Sequence, residues 1–303
     1  MPTLEGMKRR LDATEQLQSV VKTMKVLAAV SIRHYEEAVA TLSDYTRTIE
    51  LGFHVLLRDP RGRRVSWQGG ATAPLGAIVY GSDQGMCGQF NEQVVRHAVG
   101  TMHAMGVPPH ERKVLAVGER AAATLESADE AVERVITLPG TTSGITPMVQ
   151  RLLPLIETWR DQHGIASVVL FHNTYEQTSY APTTRRLLPL DPDWLSELQA
   201  TPWSTRRLAV FSMDWEELFA ALVRHHLFAA LYQALVESLA AENASRLRSM
   251  QAAEKNVEER LDELRGRYHR ARQSAITAEL LDIVVGSESL SEQTLTATTG
   301  DQS

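Results

Sequence analysis

RARQSAITAELLDIVVG, Arg270 to Gly286, closes a long charged helix near the end of the chain. Its apolar residues return every three or four positions, the period of a helix with one covered stripe. Among them stand Gln273, Thr277 and Glu279, polar groups spaced for faces that must also meet something. Upstream, no proline follows Pro202, and Gly266 is the only glycine between Asp214 and Val285. Asp214 and Glu217 read as N-cap and N3 of a capping-box-like start. Leu218, Leu222, His225, Ala229, Tyr232, Leu235 and Leu239 form a first stripe. Val257, Leu261, Leu264, Tyr268, Ala271, Ala275, Ala278, Leu281 and Val285 form a second. Gly286 supplies a C′ stop. A helix of that length needs a matching stripe, because no domain of ordinary diameter offers it enough surface.

The other end of the chain provides one. Met7, Leu11, Thr14, Leu17, Val21, Met24, Ala28, Ser31, Tyr35, Val39, Leu42, Tyr45 and Ile49 recur in a stretch with no proline between Pro2 and Pro60. Such a coiled-coil period, held over about six heptads, predicts a rod roughly 75 Å long. The two stripes predict an antiparallel intramolecular coiled coil; pairing with a second copy of the chain is the alternative. The longer C-terminal helix then overhangs its partner as a single tip carrying Ile276, Leu280, Ile283 and Val284. That is a large apolar liability in water unless another protein encloses it.

The middle reads differently. Strands at 75–81, 113–118, 134–140 and 165–177 alternate with helices at 91–105, Ala121–Leu125 and Ile145–Gln162. An antiparallel strand follows at 183–190. This is an α/β layer with a mostly parallel sheet. The expected organisation is a terminal helix over 1–57, a linker over 58–74, the α/β domain over 75–190, a linker over 191–211, the second long helix over 212–286 and a disordered tail over 287–303.

Composition narrows the function. Of 303 residues, 43% are hydrophobic and 22% charged, an ordinary soluble balance. A net charge of −6 argues against nucleic acid as a partner. Cys87 is the only cysteine, which excludes an internal disulfide and a cysteine-based metal site. No signal-peptide core opens the chain, and no run approaches 18 apolar residues, so membrane association is expected only through partners.

The best enzyme-like feature is YGSDQGMCGQFN, Tyr80 to Asn91, where a strand meets a glycine-rich turn that opens a helix. Backbone amides there could cradle a phosphate, with Glu119 placed for a ribose. Yet Gly81, Gly85 and Gly88 are not spaced as G-x-G-x-x-G, and Asp83 would set negative charge beside the phosphate. A turn needing glycine freedom is the default. Cys87 with His97 or His172 as base matches no catalytic motif. His225 and His226 are adjacent and point apart, and Arg61, Arg63 and Arg64 read as a solvated linker cluster. No cofactor or metal is expected.

Three stretches carry a family resemblance: VVKTMKVLAAVSIRHY (20–35), GSDQGMCGQFN (81–91), and AENASRLRSMQAAEKN (241–256) together with ARQSAITAELLDIVVG (271–286). In order and spacing they resemble the gamma subunit of F-type ATP synthases, from about residue 4 to 290. The resemblance implies a mixed fold, a long antiparallel coiled coil of terminal helices plus a central Rossmann-like α/β domain. It implies a non-catalytic central rotor shaft. The implied partners are the alpha and beta subunits of the catalytic ring, the epsilon subunit and the c-subunit membrane ring. The implied place is peripheral, on the cytoplasmic face of the bacterial cell membrane. Met24, Arg272, Gln273, Thr277 and Glu279 match positions that contact beta; Asp83, Gly85, Cys87, Gly88 and Asn91 match the turn of the foot domain. Val30-Ser31 replaces the family's Ser-Lys, Gln84 its Arg and Gln89 its second Gly, departures that fit a divergent branch of rotary ATPases. The alternative is a stand-alone α/β nucleotide-binding protein that dimerises through its coiled-coil ends. The coupling ion and the physiological direction of operation are not written in this subunit.

Overall fold

A computed structural model describes residues 3–59, 61, 74–176, 179–202 and 211–299. Two long helices frame the chain: α1, Leu4–Leu57, of 54 residues, and α6, Trp215–Thr299, of 85. Between them lie β1 (Leu75–Tyr80), α2 (Phe90–Ala104), β2 (Arg112–Val117), α3 (Glu119–Glu126), β3 (Val132–Ile136), α4 (Ile145–His163), β4 (Ser167–Glu176), β5 (Ser179–Leu188) and α5 (Pro192–Ala200). The chain divides into two units, one joining 1–24 to 250–303, the other spanning 25–249.

In the first unit the start of α1 runs antiparallel to the later part of α6. Arg265 donates to Glu15 at 2.8 Å, and Gln18 donates to Glu258 at 3.4 Å, so rising numbers on one helix meet falling numbers on the other. Val21, Met250, Val257, Leu261 and Leu264 are buried. The ion pair is half-exposed and contributes little; burial of the stripe does most of the holding. Past Ala271 the side chains described on α6 are exposed, so Ala275, Ala278 and Leu281 of the expected stripe have no covering helix. The helix runs on to Thr299, past Gly286, where sequence reading placed its stop and a disordered tail. One glycine costs a helix about 1 kcal/mol and does not end it when no proline follows.

The second unit holds a five-stranded sheet in the order β3-β2-β1-β4-β5, parallel except for β5. Central β1 is buried on both faces, as its run LGAIVY requires. Its alternate residues serve two cores. Leu75, Ala77 and Val79 pack with α2 and α3 through Val94, Met102 and Leu125. Ile78 and Tyr80 pack with α4 and α6 through Met148, Leu152, Leu231 and Leu235. A third core, with Phe53, Leu56, Leu195, Trp215 and Leu222, joins the end of α1 to α5 and the start of α6. Here too α1 and α6 run antiparallel: Tyr45 pairs with His225 at 2.8 Å, and Trp215 donates to the Leu56 carbonyl at 3.3 Å.

Heptad spacing on α1 is visible in burial, at Ala28, Tyr35, Leu42, Ile49 and Leu56 in this unit. The alternate row is weaker: Ser31 and Val39 are half-buried, and Tyr45 is exposed. On α6, residues 238–246 are buried all round. One window of Trp215–Leu281 is long and apolar enough to cross a membrane by composition, with mean hydropathy 1.2. Leu227, Leu231, Leu235 and Leu239 of this helix are instead core of this domain.

The linker expected at 191–211 contains α5. Asp191 caps it by accepting from the Asp193 amide at 2.9 Å, and Pro192 sits at the first helical position. A proline read as a breaker is here a helix starter, since its fixed φ suits that position and no amide is lost. The linker expected at 58–74 falls almost wholly outside the described residues.

His226 packs against Trp194 beside the third core, with ring centroids 4.7 Å apart and the planes tilted by 37°. Burial first, then the charge of Arg185, lowers its pKa to about 4. An unfolded histidine titrates near 6.5, so between these values the unfolded chain binds the extra proton. Stability of this domain is therefore expected to fall as pH drops from 6.5 to 4, by on the order of 3 kcal/mol. Melting curves should show this loss in the parent and its absence in His226→Gln.

Candidate functional site

The glycine-rich turn after β1 is occupied with holding the domain together. Asp83 accepts from the Glu119 amide at 3.0 Å and from the Leu138 amide at 2.7 Å, tying the turn to the ends of β2 and β3. Asn91 accepts from the Ser82 amide and donates to the Ser82 hydroxyl, both at 2.9 Å. Gly118, at φ +109, lets the next turn pass over Ser82; a Cβ there would lie 2.7 Å from the Ser82 carbonyl oxygen. Glu119, the residue placed for a ribose, opens α3 and faces solvent.

The other half of the turn faces α6. Ser245 donates its hydroxyl to the Cys87 carbonyl. Gly88 has φ +60, and a Cβ on it would meet the Ser249 hydroxyl at 3.2 Å. The glycine is needed for both the left-handed backbone and the close approach to the helix. Gly85 is half-buried beside Arg120, and Met86 projects into solvent. Cys87 is buried, and burial pushes its thiol pKa up, the reverse of what a nucleophile needs. Neither proposed base reaches it: His97 bonds Thr184 at 2.7 Å, and His172 bonds Glu237 at 3.0 Å.

Polar groups then fasten the sheet to α6. His172 of β4 meets Glu237, which also accepts from Gln233 at 2.8 Å; Gln233 in turn accepts from Arg185 of β5 at 3.1 Å. One turn on, Arg246 donates to Glu242 at 2.5 Å, both buried. Burial raises the Glu242 pKa, and the charge of Arg246 opposes the rise. Tyr80 donates to the Leu231 carbonyl at 3.3 Å. Sequence reading missed Arg185, Gln233, Glu237, Glu242 and Arg246. Charged residues survive burial only in pairs or networks, which the sequence does not display.

The residues expected to contact a partner all lie in the first unit. Arg272, Gln273, Thr277 and Glu279 are exposed on α6, past the last cross-helix bond described, Arg265 to Glu15. Thr277 donates to the Gln273 carbonyl at 2.9 Å, so these two share a face. Arg272 and Glu279 share the adjacent face with Ile276, which is 48% exposed. Leu280, Leu281 and Ile283 are exposed beside them at 58, 59 and 63%. Met24 is not at this tip; it lies half-buried on α1, farther from the tip than the Gln18–Glu258 bridge. Among the described residues no group of three His, Cys, Asp or Glu side chains could hold a metal ion.

Paired terminal helices, and a domain whose polar groups are spent on gripping one of them, describe a mechanical subunit. A family model described as ATP synthase matches residues 3–290. The chain belongs to the ATP synthase gamma family. It is 26% identical over 298 residues to the ATP synthase gamma chain of Geotalea uraniireducens (strain Rf4), covering 96% of this chain and 99% of that one. The gamma chain of Nautilia profundicola is 25% identical over 304 residues, with coverages of 96% and 99%. Among solved structures, the fold resembles a chain of the Euglena gracilis mitochondrial ATP synthase rotor in rotational state 1, with TM-score 0.61, 16% identity and coverages of 90% and 98%. A chain of the OSCP/F1/c-ring structure of the same enzyme in rotational state 3 gives TM-score 0.65, 17% identity and coverages of 96% and 95%. As a gamma chain, the protein is a non-catalytic rotor subunit in the F1 portion of a membrane-associated complex.

Proposed function

We propose that the chain turns as the central shaft of an F-type ATP synthase, coupling ion flow through a c-subunit membrane ring to ATP synthesis or hydrolysis on beta subunits. The family match over residues 3–290 carries this reading. The exposed tip supports it: apolar side chains at 48 to 63% exposure on an unaccompanied helix need an enclosing partner. In this reading the tip sits inside a ring of alpha and beta subunits, and Met24, Arg272, Gln273, Thr277 and Glu279 touch beta in turn. An asymmetric shaft shows three chemically identical beta subunits three different faces. Differences of a few kcal/mol between those contacts suffice to shift each site between open and closed states. Small and polar residues such as Ser274, Ala275 and Thr277 suit a surface that must release each face as it turns.

The α/β domain is the foot. It stands against the c ring and the epsilon subunit, on the cytoplasmic face of the membrane. The turn at Asp83, Gly85, Cys87, Gly88 and Asn91 joins foot to shaft, so torque entering the sheet reaches α6 through hydrogen bonds and a close backbone contact. The test is reconstitution. An alpha–beta ring should hydrolyse ATP in a manner that depends on added chain, and the isolated chain should bind neither ATP nor NAD at millimolar concentration. Stoichiometric nucleotide binding by the isolated chain, or a ring indifferent to it, would contradict the reading.

A further inference from the structure

The row that α6 shows to solvent near its end is not the row that it buries. Val257, Leu261 and Leu264 are buried, whereas Ile276, Leu280 and Ile283 are 48, 58 and 63% exposed. With 3.6 residues per turn, the second row lies roughly 110° around the helix from the first. Its alternating steps of four and three continue downstream through Ser287, Leu290, Thr294 and Ala297, and upstream through Gln273, His269 and Gly266, all within α6. Gln273 and His269 are exposed, so this coiled-coil period runs along a face that α1 leaves open. The charges along the same stretch are sorted. Residues 264–276 hold Arg265, Arg267, Arg270 and Arg272 and no acid; residues 287–299 hold Glu288 and Glu292 and no Lys, Arg or His. Glu15 engages Arg265 and Glu263 engages Arg267, while Arg270 and Arg272 have no ion-pair partner among the described residues.

We propose that, before assembly, two copies of the chain pair through this seam as an antiparallel two-fold dimer that hides both tips from water. The pre-assembly role rests on the shaft reading above; the pairing itself does not. A register that sets Leu280 of one copy opposite Ile283 of the other makes an apolar centre, with Ile276 of each copy one layer farther out. The same register lays residues 287–299 of each copy along 264–276 of the other, acid against base at both ends. The two-fold makes the two ends identical, so one surface serves both copies. A parallel pair would instead set acid against acid and base against base. Away from its centre the seam holds Gln273, His269, Ser287 and Thr294, so the grip is weak enough to yield to a ring. A tip paired in this way is not available to the interior of a ring, and the two states exclude each other.

Sedimentation equilibrium of the full-length chain at micromolar concentration should show reversible dimers that weaken as salt rises. Leu280→Gln/Ile283→Gln should dimerise at least tenfold more weakly at an unchanged circular dichroism melting curve, since both positions are exposed in the single chain. Arg270→Glu/Arg272→Glu and Glu288→Arg/Glu292→Arg should each lose self-association. Mixed together, these two variants should form a heterodimer, because each offers the other the charge that it lost. A chain that stays monomeric, that grows into aggregates with no dimer plateau, or that dimerises equally well after the Leu280 and Ile283 substitutions would overturn the pairing. Added alpha–beta ring should dissolve the parent dimer and take up one chain per ring. A ring that binds the dimer intact would overturn the pre-assembly role. A ring that takes up no chain in either form would overturn the shaft reading and leave the pairing in place.

Discussion

Arg246→Met should destabilise the α/β domain by about 3–5 kcal/mol, a drop in melting temperature of roughly 10 °C. Arg246 and Glu242 are 7% and 6% exposed, and Arg246 also reaches Asn243 at 3.4 Å. Removing the guanidinium leaves a carboxylate in a low-dielectric site without its cation, and that imbalance, more than the lost attraction, sets the cost. Burial already raises the Glu242 pKa. Without Arg246 the rise is larger, so the folded state of the variant binds this proton at a higher pH than the unfolded chain does. The deficit relative to the parent is therefore greatest above the raised folded-state value and shrinks as pH falls through it. Arg246→Met/Glu242→Gln should recover most of the loss. A deficit independent of pH, or no recovery in the pair, would show that the ion pair does not set the stability of this joint.

The second large effect concerns turnover. Arg272→Ala/Gln273→Ala/Thr277→Ala should lower steady-state ATP hydrolysis and synthesis by the assembled complex about tenfold, equivalent to about 1.4 kcal/mol, while the complex still assembles. These residues are exposed on α6, and the only hydrogen bond described for their side chains is local, from Thr277 to the Gln273 carbonyl. Alanine is the best helix former, so the substitutions leave the helix itself intact. What they remove is available only to a partner. Unchanged rates in the triple variant would remove these residues from the contact set.

Much of the architecture is legible because it follows from periodicity. The heptad of α1 reappears in burial at Ala28, Tyr35, Leu42 and Ile49, and the alternation of strands and helices yields a sheet with one antiparallel edge. The overhanging tip follows from counting, since α6 is longer than anything α1 can cover. Local signals that permit two outcomes were read less well. Pro192 starts α5, and Gly286 is carried through α6. The burial of Glu242 and Arg246 was out of reach because a charged pair one turn apart looks like a solvated helix face. Only the three-dimensional fold brings Tyr35, Cys87 and the sheet around it. The turn at 81–91 is the instructive case. A strand, glycines and a helix start resemble a phosphate cradle, but the chain itself fills the space, with Asp83 on two amides and Gly88 against Ser249.

Direct observation of rotation is the decisive experiment. With an alpha–beta ring fixed to a surface and a probe attached to the α/β domain of this chain, added ATP should drive sustained turning in one direction. A ring that hydrolyses ATP with this chain assembled in it, while the probe only fluctuates about a fixed angle, would contradict the shaft.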